Sequence, residues 1–198
     1  MNAMITSHDL IPLSTYRKSR DEYIHKMIAY KQSRRIRVNE FISLLFENRQ
    51  TVLFQIQELV NSEDLTDHEE IAEYIEIYSA MLPAEDELSA TLFIEIDDLP
   101  LLEETLRKLK GIEHTLFIEI GEERIAAIFE EEHNDREFTT SVHYLKFPLS
   151  ELAKQYLLEE PETSAKVHLI LDHPQLHAET ALLASQIRSL KADFSHNK

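Results

Sequence analysis

The sequence predicts an α+β protein, with an N-terminal helical region followed by a mixed five-stranded sheet with helices. Three observations carry this. Apolar residues recur at helical spacing up to Pro83, and from Leu88 they alternate instead. The second half also interleaves strand-like and helix-like stretches with defined stops. Residues 1–83 therefore read as a mainly helical region and residues 84–198 as an α+β sheet region. No linker separates them, so the two are expected to fold as one cooperative unit.

The first helix is "STYRKSRDEYIHKMIAYKQSRR", where Tyr16, Tyr23, Met27 and Tyr30 lie near one stripe and Arg and Lys occupy the rest. In "ENRQTVLFQIQELVNSE", Val52, Ile56, Leu59 and Val60 share a face, while Thr51, Gln55, Glu58 and Ser62 recur on another. Asp67 suits the cap of a third helix, with Glu69 and Glu70 in its first turn, where a negative charge is favoured. That helix buries Ile71, Tyr74, Ile75 and Tyr78 and stops before Pro83. "SATLFIEI" is then a strand, and "DDLPLLEETLRKLKG" a helix with Pro100 in its first turn and Gly111 as its stop. A second "TLFIEI" follows, then a turn at Gly121, a returning strand "IAAIFEE", the acidic bridge "EEEHNDRE" and the strand "TTSVHYLKFPL". A short helix "SELAKQYLLEE", a fifth strand "KVHLILDH" and a closing helix "PQLHAETALLASQIRSLKADF" complete the chain.

The hexapeptide TLFIEI occurs at Thr91–Ile96 and at Thr115–Ile120. If both copies shared a sheet, the helix between them would make them parallel, by a right-handed crossover. Glu95 and Glu119 would then lie about 5 Å apart on one face, and would have to share a proton, bind a cation or face water. The flanks diverge, "ELSA…DDLP" against "GIEH…GEER", which favours one strand recipe used twice over a copied functional module.

Composition narrows the chemistry. Acidic residues number 37 against 20 Lys and Arg, a net charge of −17 over 198 residues. Such a body repels phosphate backbones and argues against nucleic-acid binding. Residues 1–49 carry +4 and the remainder −21. A basic segment therefore faces an acidic body, its own or a partner's, and a homodimer is one outcome. Without cysteine the chain holds no disulfide and no thiolate-ligated iron–sulfur cluster. No leader-like start and no apolar run of about 18 residues is present, which makes the cytoplasm the expected location. Two glycines exclude a phosphate-cradling loop or a dinucleotide fingerprint, and there is no G-x-S-x-G elbow.

Two residue sets remain as candidate sites. Glu58, Glu95, His143 and His173 are of the types that hold a divalent transition metal, although their spacing matches no compact ligand motif. Arg34, Arg35 and Arg49 are candidates for anion binding. Glu22–His25 and Glu130–His133 have the Glu-x-x-His spacing of di-iron bundles, but no four-helix bundle is predicted and the second pair falls in a loop.

Several stretches together, "RRIRVNEFISLLFENRQTVLFQIQELVNSE", "ELSATLFIEI", "LKGIEHTLFIEIG", "SVHYLKFPL" and "LDHP", resemble DUF3501, a family of bacterial proteins of unknown function. The resemblance runs from about Tyr16 to Leu190. Its motif residues fall at Phe46–Glu47–Asn48–Arg49, at Gln55–Ile56–Gln57–Glu58 and at Glu63. Asn39 departs from the family's glycine, and a positive-φ turn would tolerate the exchange; Leu59 stands where methionine is usual. The resemblance implies a setting beside rubrerythrin-like proteins and an iron–sulfur oxidoreductase, hence stress-redox work. The function expected is that of an accessory or binding protein with a protein partner in such a module. The alternative is a metal-dependent enzyme or metal-binding protein using Glu and His ligands.

Overall fold

The computed structural model describes residues 4–129 and 137–195. A 3₁₀ turn at Ser7–Asp9 leads into α1 (Leu13–Gln32), a hairpin of β1 (Arg35–Arg37) and β2 (Ile42–Glu47), then α2 (Arg49–Ser62) and α3 (His68–Ser79). α2 starts where Asn48 accepts from the amides of Gln50 and Thr51, removing two of the four orphan donors of a helix start. It ends on Asp64 at φ 53°, with the Leu65 amide reaching back to the Val60 carbonyl at 3.0 Å. This is a left-handed cap whose following apolar residue packs on the same cluster as Val60. Asp67 caps α3 as the sequence predicts, accepting from Glu69 and Glu70.

The remaining elements are β3 (Glu87–Ile94), α4 (Leu99–Lys108), β4 (Leu116–Ile120), β5 (Glu123–Ala126), β6 (Ile128–Phe129), β7 (Val142–Pro148), α5 (Glu151–Glu159), β8 (Val167–His173), β9 (Leu176–Ala181) and α6 (Ala184–Ser195). They form two antiparallel sheets, ordered β1-β2-β3-β7-β6 and β5-β4-β8-β9. The inner faces of both sheets close on one buried cluster, which takes Leu44, Leu92 and Phe147 from the first and Leu116, Ile118 and Leu169 from the second. α4, α5 and α6 complete it with Leu106, Leu157 and Leu190. A smaller cluster of Ile5, Val52, Ile56, Val60, Ile75 and Met81 joins the N-terminal turn to α2 and α3. No helix among the described residues is long and apolar enough to cross a membrane.

The α+β class holds, but the sheet architecture differs from the prediction in three ways. The two TLFIEI copies lie in separate sheets, β3 in the first and β4 in the second, so Glu95 and Glu119 are not strand neighbours. The stretch read as helical up to Pro83 contains β1 and β2. Every residue of β2 is buried, and a strand covered on both faces shows a continuous apolar run that periodicity does not separate from a helix. β9 was predicted as the start of the last helix; Pro174 and Gln175 instead form a two-residue hairpin that pairs Leu176 with His173. Asn39 also turns the β1–β2 hairpin without a positive φ, because its side chain accepts from the amides of Phe41 and Ile42 at 2.9 and 2.7 Å. Gly121 does need its freedom: it sits at φ 63°, and a Cβ there would lie 3.1 Å from the Tyr156 ring.

Arg34 joins these parts. Only 1% of it is exposed. Its guanidinium donates to the Phe46 carbonyl at 2.8 Å, to the Ser189 hydroxyl at 3.0 Å and to both Asp193 oxygens at 3.2 and 2.6 Å. Asp193 also accepts from the Asn48 amide at 2.7 Å, and the other Asn48 N–H reaches the Tyr30 hydroxyl at 2.7 Å. One ion pair thus ties the end of α1, the end of β2, the cap of α2 and the last turns of α6. Arg34→Met leaves the largely buried Asp193 carboxylate without its cation, and we expect a loss of about 3–5 kcal/mol in urea unfolding. Adding Asp193→Leu should recover most of it. A loss below about 1 kcal/mol, the value of an exposed pair, would show that the knot does not hold the fold.

Candidate functional site

α1 and α2 run antiparallel, Tyr16 meeting Glu58 at one end and Tyr30 meeting Asn48 at the other. Between them and the N-terminal turn lies a cavity of about 280 Å³. From α1 it takes Tyr16, Tyr23, Lys26 and Met27. From α2 it takes Gln50, Leu53, Phe54 and Gln57, which are spaced i, i+3, i+4 and i+7 along one helix face. Asp9 and Ile11 close the third side. Tyr16 and Tyr23, one turn pair apart on α1, have ring centroids 5.7 Å apart at an angle of 48°, within the tilted range that aromatic quadrupoles favour.

The polar groups around this cavity are largely occupied in holding its walls. Glu58 accepts the Tyr16 hydroxyl at 2.7 Å and a two-pronged contact from Arg20 at 2.9 and 2.6 Å. The Arg20 guanidinium holds the Glu58 carboxyl below the usual carboxylate range, and the Tyr16 hydroxyl adds to this against the cost of burial. Burial, then the facing Glu58, pushes the Tyr16 phenol up, so it remains a donor. Gln57 clamps the N-terminal segment by accepting from the Ile11 amide at 2.7 Å and donating to the Ile11 carbonyl at 3.1 Å. Asp9 receives Arg49 at 2.6 Å, and the Thr6 amide followed by Arg49 lowers its carboxyl. Lys31 lies 5.4 Å from the Phe54 ring centroid, behind the wall and not in the lining. Burial lowers its ammonium, against the pull of Glu47.

At the end of β2, Glu47 is 3% exposed. It accepts from the Thr51 hydroxyl and, at 2.7 Å, from the Thr91 hydroxyl. Its place just before α2 adds the favourable end of that helix's dipole.

The residues proposed from sequence do not gather here. Among the described residues, no three His, Cys, Asp or Glu form a group that could hold a metal ion. Glu58 is engaged as above. Glu95 follows β3 and faces solvent, accepting from Ser43 at 3.0 Å and Arg35 at 3.3 Å. His143 is buried on β7 with Nε2 3.0 Å from the Thr139 hydroxyl and its ring edge-on to Phe129. His173 ends β8 in the other sheet. There Nδ1 accepts from the Gln175 amide at 3.2 Å, so Nε2 is the donor to the Lys110 carbonyl at 2.9 Å. Both of its nitrogens are therefore spent on local structure. The three arginines are equally separate: Arg34 is taken up by Asp193, Arg35 by Glu95 and Arg49 by Asp9. Glu22 pairs with Lys26, and His25 contacts the Asp21 carbonyl on the exposed side of α1. The Glu130–His133 pair lies outside the described residues.

Sequence reasoning passed over the cavity itself. The signal was present in the Tyr16, Tyr23, Met27 stripe and in Gln50, Leu53, Phe54, Gln57. Each reads alone as an ordinary packing face, and only their antiparallel pairing leaves a space.

The family described as "Protein of unknown function (DUF3501)" matches residues 4–194. The chain is also similar to a crystal structure described as a novel protein of unknown function from Burkholderia pseudomallei K96243, at 29% identity and a TM-score of 0.88. That match covers 96% of this chain and 99% of the other. No curated protein matches.

Glu58, outside the lining, braces the wall through Tyr16 and makes that brace acid-sensitive. Its carboxyl is held below the usual carboxylate range, so its stabilising contribution is complete above that range and is lost as pH falls through the lower folded value. We expect Glu58→Gln to be less stable than the wild type at pH 7 and to show a shallower fall in Tm as pH drops below the usual carboxylate range. Parallel acid limbs for the two proteins would remove Glu58 from this role.

Proposed function

The chain belongs to the DUF3501 family of proteins of unknown function, and within that family we propose, from the cavity, that it is a binding or accessory protein whose ligand, a small organic molecule, sits between α1 and α2. The make-up of the cavity wall carries this reading. Five aromatic or aliphatic side chains from two rigid helices face a space of about 280 Å³, close to the lower limit of common ligand sites. The described lining residues include no histidine, serine or cysteine, and the acids nearest to it are held as carboxylates by arginines. That arrangement suits recognition better than proton transfer or nucleophilic attack.

The accessory role extends to the cytoplasm and to a partner of the rubrerythrin or iron–sulfur oxidoreductase kind. Two properties support it. A chain without cysteine leaves cluster chemistry to another protein, and a net charge of −17 suits docking to a basic face.

Thermal denaturation against a mixed panel of neutral, anionic and cationic one-ring compounds tests the site. We expect at least one compound to raise Tm by about 5–10 °C when present near 100 times its Kd. Leu53→Trp, which fills the cavity from the middle of α2, should retain the fold and abolish that rise. No stabilising compound, or one that Leu53→Trp leaves unaffected, would sink the proposal. For the partner, capture from native extract at low salt should recover an iron-containing redox protein that is released as salt rises. Recovery of further copies of the chain alone would favour a homodimer instead.

A further inference from the structure

The cavity's surroundings say more about the ligand than its apolar lining does. We infer that the site takes a neutral, planar aromatic molecule of about one ring, whose polar edge hydrogen-bonds the Gln50 carboxamide. This rests on the reading of the cavity as a ligand site and specifies its chemistry.

Charge is the first argument. Two charged side chains line the space, Asp9 and Lys26, and each already has its counterion: Arg49 at 2.6 Å from Asp9 and Glu22 at 2.6 Å from Lys26. Next to the wall, Glu58 is matched by Arg20 at 2.6 Å. A charged ligand would lose water without gaining an opposite charge that is not already engaged. Aromatic walls alone would attract a cation. Here Lys31 already stands 5.4 Å from the Phe54 centroid, and Lys26 occupies the lining, so a second cation meets two like charges. A neutral molecule meets neither penalty.

Shape is the second argument. Tyr16, Tyr23 and Phe54 bring three rings to one small space, with Met27 as a polarizable filler. Rings offer an incoming ring offset and edge contacts that a saturated body does not match. The remaining polar handles are the Tyr23 hydroxyl and the Gln50 carboxamide at the exposed mouth of the cavity, and Gln50 is the one that presents a donor and an acceptor on separate atoms. Gln57 is committed to both backbone groups of Ile11, whereas the Gln50 carboxamide has no hydrogen-bond partner among the described residues and lines the cavity. A carboxamide both donates and accepts, which suits an amide, lactam or phenol edge.

Four probes of matched size separate the possibilities: benzamide, benzoate, benzylammonium and cyclohexanecarboxamide, each titrated into the full chain by calorimetry. Benzamide should bind at least tenfold more tightly than the other three, and Gln50→Leu should weaken it about fivefold or more. Tyr23→Phe should preserve binding while Tyr23→Leu loses it. Benzoate or benzylammonium binding as tightly as benzamide would overturn neutrality, and equal binding of cyclohexanecarboxamide would overturn the aromatic requirement. An unchanged benzamide affinity in Gln50→Leu would overturn the role of the carboxamide. Silence of all four, with stabilisation by an unrelated compound that Leu53→Trp abolishes, would overturn the ligand class and leave the site standing. Silence across the whole compound panel would remove the site as well.

Discussion

The buried pair of Arg34 and Asp193 is the constraint on which the rest of the structure depends. A guanidinium taken fully out of water must find a partner for nearly every N–H, because an unmatched buried charge costs several kcal/mol. Arg34 finds them on two other elements: the Phe46 carbonyl on β2, and Ser189 and Asp193 on α6. Asp193 in turn fixes Asn48, the residue that starts α2. The directions of α1 and α2 are therefore set from one end by a polar knot that the chain closes only when its last helix arrives. That is a long-range requirement, spanning 159 residues, and it makes the N-terminal helices part of the same folded body as the sheets.

From that knot the two helices run back to Tyr16, Arg20 and Glu58, where a second set of charge-assisted hydrogen bonds holds the far end. Between the two anchors the facing side chains are large, and their separation is set by the ends instead of by close packing in the middle. A space remains there because polar contacts, which have fixed lengths and directions, decide how closely the helices approach. The N-terminal turn then roofs part of it through the Gln57 clamp on Ile11 and the Asp9–Arg49 pair. One part of the family resemblance, the motif residues from Phe46 to Glu58, supplies many of these contacts. Its polar residues define a cavity in place of forming a catalytic cluster.

Much of the secondary structure was legible in the sequence, wherever one face is buried and the other wet. β4 is the clear case: Leu116, Ile118 and Ile120 are buried while Phe117 and Glu119 alternate outward. The cap at Asp67 and the stop at the left-handed Gly111 were equally readable, since they depend on neighbours within three or four residues. β2 was not readable, because burial on both faces erases its period of two. The metal and anion candidates stand apart from one another for a related reason. Residue type says what a side chain is able to bind, yet Arg34, Glu58 and His173 had already found partners within their own fold.

By itself, then, the sequence determined the class of the fold, the excluded chemistries and the local stops and starts, all of which rest on composition or on short-range geometry. The tertiary structure alone decided which strands share a sheet, which charges cancel and where a cavity opens. Those depend on pairings across the whole chain. The twin TLFIEI segments illustrate the division: the same six residues specify the same strand twice, and only their different neighbours place them in different sheets.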